Sequence, residues 1–204
     1  MLKDLREYIR VNKREVVLLS GGALFILIVS LFGLFVSGDE SLHIPEDFDD
    51  SERRVSRLMT RSALALNDSV EELNKFKEEG FVLGASLNEQ KKSLEDIQDD
   101  LQDMLIEVSV MSDSAHRVTP TALKEVSSDM ARMALMASEF MVGAVTKLDQ
   151  IFNNLGSEGI EAQDGLMNEL NADLNTLNQV LRQYGLLIDR FNEILEVNEQ
   201  PEDE

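Results

Sequence analysis

Apolar residues recur along most of this chain at intervals of three and four, the spacing that brings them to one face of an α-helix. The most regular such run lies near the C-terminus and consists of Met167, Leu170, Leu174, Leu177, Leu181, Tyr184, Ile188, Phe191 and Leu195. A second apolar stripe, Val180, Leu187 and Ile194, lies beside the first. A face this broad is typical of a bundle helix, whereas a two-stranded coiled coil needs only a narrow seam.

Three further helices are predicted before this one. The first runs from about Ser51 to Glu79 and ends before Gly80, a residue type that suits a helix C-terminus. The second follows Ser86-Leu87-Asn88-Glu89, whose spacing matches a capping box. The third opens at Thr119-Pro120, with Thr119 as the N-cap and the proline at the first helical position.

The breaks between these helices, at 80–85, 113–118 and 155–160, are short enough for consecutive helices to fold back on one another. We therefore expect an all-α protein in which an antiparallel three- or four-helix bundle or coiled coil follows one N-terminal transmembrane helix. The residues expected to form the helix-packing core are Leu94, Ile97, Leu101, Met104, Met130, Met133, Phe140, Leu170, Leu174, Leu177, Leu181, Ile188 and Phe191.

The predicted transmembrane helix covers residues 16–36, which contain no charged side chain. At 1.5 Å per residue this run is roughly 30 Å long, the thickness of a bilayer's hydrocarbon core. Small residues at 36–38 resemble a signal-peptidase site, but the apolar run exceeds the usual length of a signal peptide. The segment therefore reads as an uncleaved signal anchor, with cleavage as the alternative.

The charges on either side of the anchor predict its orientation. Five basic residues against three acidic ones precede it, and the residues that follow are acidic, without Lys or Arg before Arg53. Because positive charge stays on the cytoplasmic side, we expect an inner (plasma) membrane protein with a cytoplasmic N-terminus and a periplasmic or extracytoplasmic C-terminal domain. The predicted organisation is a basic stub (1–15), the anchor (16–36), an acidic linker (37–50), the helical bundle (51–196) and an acidic, disordered tail (197–204).

Four small residues of the anchor, Ala23, Ser30, Gly33 and Ser37, fall on one side of a helix. Small side chains let a second transmembrane helix approach closely. Single anchors also contain Gly and Ser commonly, so this face predicts either helix pairing or an ordinary anchor.

Composition excludes several kinds of site. The chain of 204 residues carries 19 Lys and Arg against 39 Asp and Glu, a net charge of −20, which argues against a nucleic-acid surface. The absence of Cys removes thiolate sites. A di-iron bundle requires Glu-x-x-His on each of two helices, whereas the chain has only two His, of which His43 lies in the predicted linker and His116 has Asp113 three residues before it. We expect no catalytic residue, no metal and no cofactor, and hence no enzyme.

The function expected from these features is a structural or adaptor interaction module in the cell envelope. The expected partners are the membrane, which the chain spans once, other envelope or membrane proteins, and a second copy of this chain. The alternative is an extracytoplasmic small-molecule sensor or an accessory subunit of a membrane complex. A sensor should have a polar pocket between its helices, whereas an adaptor should lack one.

Overall fold

The computed structural model describes residues 41–79, 84–158 and 163–199. Within these ranges the chain forms four α-helices and no strand. The helices are α1 (Glu46–Glu79), α2 (Gly84–Ala115), α3 (Thr121–Glu158) and α4 (Asp164–Glu199). The prediction of an all-α helical bundle is thereby confirmed for this part of the chain.

The predicted anchor, residues 16–36, lies outside the described residues, as do the small residues on its face: Ala23, Ser30, Gly33 and Ser37. In the part of the chain that is described, no helix combines the length and the apolar character needed to cross a bilayer.

Ion pairs and hydrogen bonds between the helices show in which directions they run. Arg54 of α1 pairs with Glu107 of α2 at 2.9 Å, and Arg61, two turns further along α1, pairs with Asp100. Residue numbers therefore rise along α1 while they fall along α2, so these helices are antiparallel. Lys147 of α3 reaches Asp173 of α4 at 2.6 Å, and the contact between Asn154 and Gln163 extends the same antiparallel order.

Helix α3 is the central element, because it packs against all three other helices. The positions that permit this are small and almost fully buried: Ala131, Ala134, Ala137, Ser138 and Ala144. Small side chains shorten the distance between helix axes, so α1 approaches α3 across the bundle.

The predicted core residues lie in or beside the observed core. Nine are buried: Leu94, Ile97, Leu101, Met104, Met130, Met133, Leu170, Leu177 and Phe191. The other four are half-buried and pack against that core: Phe140, Leu174, Leu181 and Ile188. Within the heptad pattern of α4, Leu170, Leu177 and Phe191 are thus buried, whereas Leu174, Leu181 and Ile188 are only half-buried.

Helix α1 begins at Glu46, directly after Pro45, so residues 46–50 of the predicted linker are helical. The Pro45 carbonyl accepts hydrogen bonds from the Phe48 and Asp49 amides. Acidic residues in a first turn interact favourably with the helix dipole, which explains why a run resembling a solvated linker is a helix start. At the C-terminal end of the described chain, α4 continues to Glu199, three residues into the predicted tail at 197–204.

Two predicted helix caps are wrong. Helix α2 already begins at Gly84, and the Ser86 hydroxyl donates to Glu72 Oε1 of α1 at 3.0 Å. Thr119 is not the N-cap of α3, because its amide and carbonyl form an antiparallel bridge with His43. The Thr119 hydroxyl also donates to the Ser41 carbonyl at 2.7 Å, so the side chains of Ser86 and Thr119 both contact segments far from them in the sequence. The spacing of neighbouring residues carries no information about such contacts.

Candidate functional site

An open groove with a volume of about 500 Å³ lies between the start of α1 and the end of α4. We call it the α1/α4 groove. Its floor is apolar and consists of Ile44, Phe48, Met130, Ile188, Phe191 and Leu195. Its rim is polar and consists of Glu46, Asp49, Glu52, Arg53 and Asn192.

The packing of the bundle accounts for the position of this groove. Small residues draw α1 toward α3, whereas the contact between α1 and α4 depends on large side chains. Phe48 and Phe191 meet with their ring centroids 5.8 Å apart. Both rings are among the residues that line the groove.

A small polar cluster borders the groove at its inner end. The Ser56 hydroxyl donates to Glu52 Oε1 at 2.8 Å, and the Tyr184 hydroxyl donates to the same oxygen at 3.4 Å. Burial raises the pKa of the Tyr184 phenol, and the nearby Glu52 carboxylate raises it further, although the Ser56 hydroxyl, 3.4 Å from the Tyr184 hydroxyl, opposes this. The phenol therefore stays neutral, and the two hydroxyls hold the carboxylate in place.

The rim of the groove carries an excess of negative charge. Glu46, Asp49 and Glu52 supply three carboxylates against one cation, Arg53. That guanidinium is paired with Asp49 at 2.8 Å. An arriving ligand thus meets an apolar floor flanked by acidic groups on α1.

A smaller concave surface of about 240 Å³ lies between α2 and α3. Its polar lining residues are all uncharged: Gln98, Gln102 and Thr146. Leu105 and Val142 remain 40% and 43% exposed there. This second surface is apolar and neutral, in contrast to the acidic rim of the α1/α4 groove.

Sequence reasoning located only part of the groove. Met130, Ile188 and Phe191 were predicted as core, whereas Glu46 and Phe48 fell in the predicted linker. The signal that indicates their true place is Pro45 followed by acidic residues, a pattern typical of a helix start.

Within the described residues, no group of three or more His, Asp or Glu side chains is arranged to hold a metal ion. Comparison with known protein families, with curated proteins and with solved structures gives no match. The residues of the groove and the sequence of the predicted anchor are therefore the features of this chain that bear on its function.

Proposed function

We propose that this chain is a single-pass membrane protein whose helical bundle acts as a structural or adaptor interaction module in the cell envelope. The uncharged run at 16–36 and the charges around it support an anchor in the inner (plasma) membrane. In this arrangement the N-terminus is cytoplasmic and the bundle is extracytoplasmic.

The observation that carries the interaction role is the α1/α4 groove, which is open and has an apolar floor, unlike the polar pocket expected of a sensor. Concave apolar surfaces bordered by polar residues are typical of binding sites, and scattered single apolar residues are not. Three of its apolar residues, Ile44, Ile188 and Leu195, remain partly exposed on a chain whose net charge is −20, whereas Phe48 and Met130 are buried. Such a surface supports recognition of another molecule.

The membrane part of the proposal is tested by fractionation of the full-length chain. We expect the chain to stay in the membrane fraction after carbonate extraction, with its C-terminal part accessible only from the extracytoplasmic side. The matched control is the double variant Leu27→Arg/Leu31→Arg, which places two charges in the middle of the predicted anchor and should release the chain. A wild-type chain recovered in the soluble fraction would contradict the anchor.

The adaptor part is tested by chemical cross-linking in native membranes followed by purification of the full-length chain. Envelope or membrane proteins should be recovered with the wild-type chain and lost with the Arg double variant. Recovery of the chain alone, at several cross-linker lengths, would argue against an adaptor.

The small-molecule sensor remains a second candidate, because the groove volume of about 500 Å³ falls in the range of small-ligand sites. The cluster of Glu52, Ser56 and Tyr184 offers hydrogen-bonding groups beside it. The sensor would be favoured by a ligand that raises the melting temperature of the full-length wild-type chain but not that of an Asn192→Trp variant. Asn178→Trp, on the same face of α4 but four turns away, is the control.

A further inference from the structure

The α1/α4 groove is about as long as two turns of helix. Its α1 wall runs from Glu46 to Arg53 and its α4 wall from Ile188 to Leu195. Eight residues of helix are about 12 Å long, which is roughly two turns. Over this length an amphipathic helix presents apolar side chains at i, i+3 or i+4, and i+7, the spacing used in helix-in-groove recognition.

The charges on the rim of the groove favour a basic helix over an acidic one. Glu46, Asp49 and Glu52 follow one another at intervals of three along the α1 wall, whereas Asn192 on the α4 wall is uncharged. The only basic group on the rim, Arg53, is already engaged by Asp49. An occupant with Lys or Arg on its α1 side gains favourable electrostatics, and an acidic occupant meets like charge.

The same charges disfavour two other occupants. A second copy of this chain carries a net charge of −20 and would bring further carboxylates toward the acidic rim. An anionic lipid headgroup meets the same repulsion. Basic charge beside an apolar stripe is therefore the chemistry that complements the groove.

We propose that the α1/α4 groove binds a short, basic amphipathic helix of a partner protein, with its apolar stripe on the half-buried side chains of Ile44, Ile188 and Leu195 and its Lys or Arg side chains against α1. This inference rests on the proposed adaptor function and names its partner class.

The first test is peptide binding to the full-length chain in detergent micelles, followed by fluorescence anisotropy. The probe is a labelled helical peptide with Leu at alternating intervals of three and four and Lys beside each Leu. We expect it to bind about ten-fold tighter than the same peptide with Glu in place of Lys. Equal binding of the two peptides would overturn the proposal.

Matched variants distinguish binding at the groove from nonspecific attraction to the negative charge of the whole protein. Glu46→Gln/Asp49→Asn removes two rim charges and should weaken binding of the Lys peptide about ten-fold at low salt. Asp99→Asn/Asp103→Asn removes two charges from exposed positions of α2 and should leave the affinity unchanged. If the two double variants weaken binding equally, attraction is nonspecific and the groove is not the site.

The second test places a photo-cross-linking amino acid at Asn192 in the groove, or at Asn178 as the control, in full-length chain in native membranes. We expect the Asn192 probe alone to label one protein, at a segment with an apolar stripe flanked by Lys or Arg, identified by mass spectrometry. Labelling of a lipid, of a second copy or of an acidic segment would overturn the inference.

These outcomes distinguish the inference from the function on which it rests. If envelope proteins cross-link elsewhere on the bundle while the Asn192 probe labels nothing, the groove assignment fails and the adaptor function stands. If no protein is recovered with the full-length chain by any probe, the adaptor function itself fails, and the inference fails with it.

Discussion

Phe48 and Phe191 form a tilted aromatic pair, with ring centroids 5.8 Å apart and planes inclined by 32°. The pair joins the third residue of α1 to the last turns of α4, the two helices furthest apart along the described chain. Phe48 is only 1% exposed although acidic residues surround it in the sequence. The acidic segment before Ser51 is therefore part of the folded bundle and contributes to its core.

The first prediction concerns this pair. Phe48→Ala should lower the free energy of unfolding by about 3 kcal/mol, because it removes a buried ring and leaves a cavity beside Phe191. Denaturant unfolding followed by circular dichroism measures the change. Asp50→Ala, at an exposed position of the same turn, is the control and should change stability by less than about 0.5 kcal/mol. Equal, small effects would mean that residues 46–50 are a linker after all.

The second prediction concerns two buried hydroxyls on α1. Ser62 Oγ and Ser69 Oγ are fully buried and have no hydrogen-bond partner in the described structure. Ser62→Ala and Ser69→Ala should each raise the free energy of unfolding by about 1 kcal/mol, because an unpaired buried hydroxyl is costly and Ala favours a helix.

The control for these variants is Ser127→Ala in α3. Ser127 is equally buried, but its hydroxyl donates to the Leu123 carbonyl at 2.8 Å. This substitution loses a hydrogen bond while gaining helix propensity, so its stabilisation should be smaller. A larger gain at Ser127 than at Ser62 or Ser69 would contradict the assignment of unpaired hydroxyls.

The third prediction separates two neighbouring carboxylates on α2 that look alike in the sequence. The Asp100 side chain is 15% exposed and pairs with Arg61, whereas Asp99 is exposed. Asp99→Lys should change the free energy of unfolding by less than about 0.5 kcal/mol. Asp100→Lys should cost about 1 kcal/mol, because it replaces an ion pair with two like charges. Thermal unfolding at low salt compares the variants, and equal effects would argue against the Arg61 contact.

The fourth prediction concerns two glycines inside helices. A methyl group added at Gly185 meets no atom within 4 Å, so Gly185→Ala should stabilise the protein by about 0.5 to 1 kcal/mol through helix propensity alone. At Gly143 the added Cβ lies 3.0 Å from Asp173 Oδ2, the oxygen that pairs with Lys147. Gly143→Ala should therefore stabilise the protein less than Gly185→Ala does. Melting temperatures that rank the two in reverse order would refute this explanation.

The fifth prediction is a pH dependence that arises from Tyr184. A tyrosine phenol ordinarily has a pKa of about 10, and burial is the main reason that the pKa of Tyr184 is higher than this in the folded chain. Below pH 10 the proton is present in both states and the stabilisation is complete. Above pH 10 the unfolded chain releases a proton that the folded chain retains, so the free energy of unfolding falls by up to about 1.4 kcal/mol per pH unit.

Comparison with Tyr184→Phe isolates this contribution from the other groups that titrate in alkali. The variant should lose free energy of unfolding less steeply than the wild type as the pH rises above 10, measured by urea unfolding at each pH. Parallel curves for the two proteins would show that the Tyr184 phenol ionises equally in the folded and unfolded states.

The sequence predicts helices well where apolar residues repeat over several turns, and helix ends poorly. Leu177 and Phe191 lie where the C-terminal repeat places them, because this signal depends only on neighbours along one helix. Ser86 and Thr119 carry good local capping signals, yet each makes a contact to a distant segment. Leu174 and Leu181 fit the same repeat as Leu177 but are only half-buried, since depth depends on the opposing helix.

The all-α class and the positions of the core faces follow from the sequence alone, because the helical period is a local property. The central place of α3, the aromatic contact of Phe48 with Phe191 and the acidic groove between α1 and α4 follow only from the tertiary structure. Helix α3 packs against all three other helices, and buried small side chains on it, such as Ala134 and Ala137, permit close approach. Such pairings join residues far apart in the chain, so their effect appears only once the helices are packed.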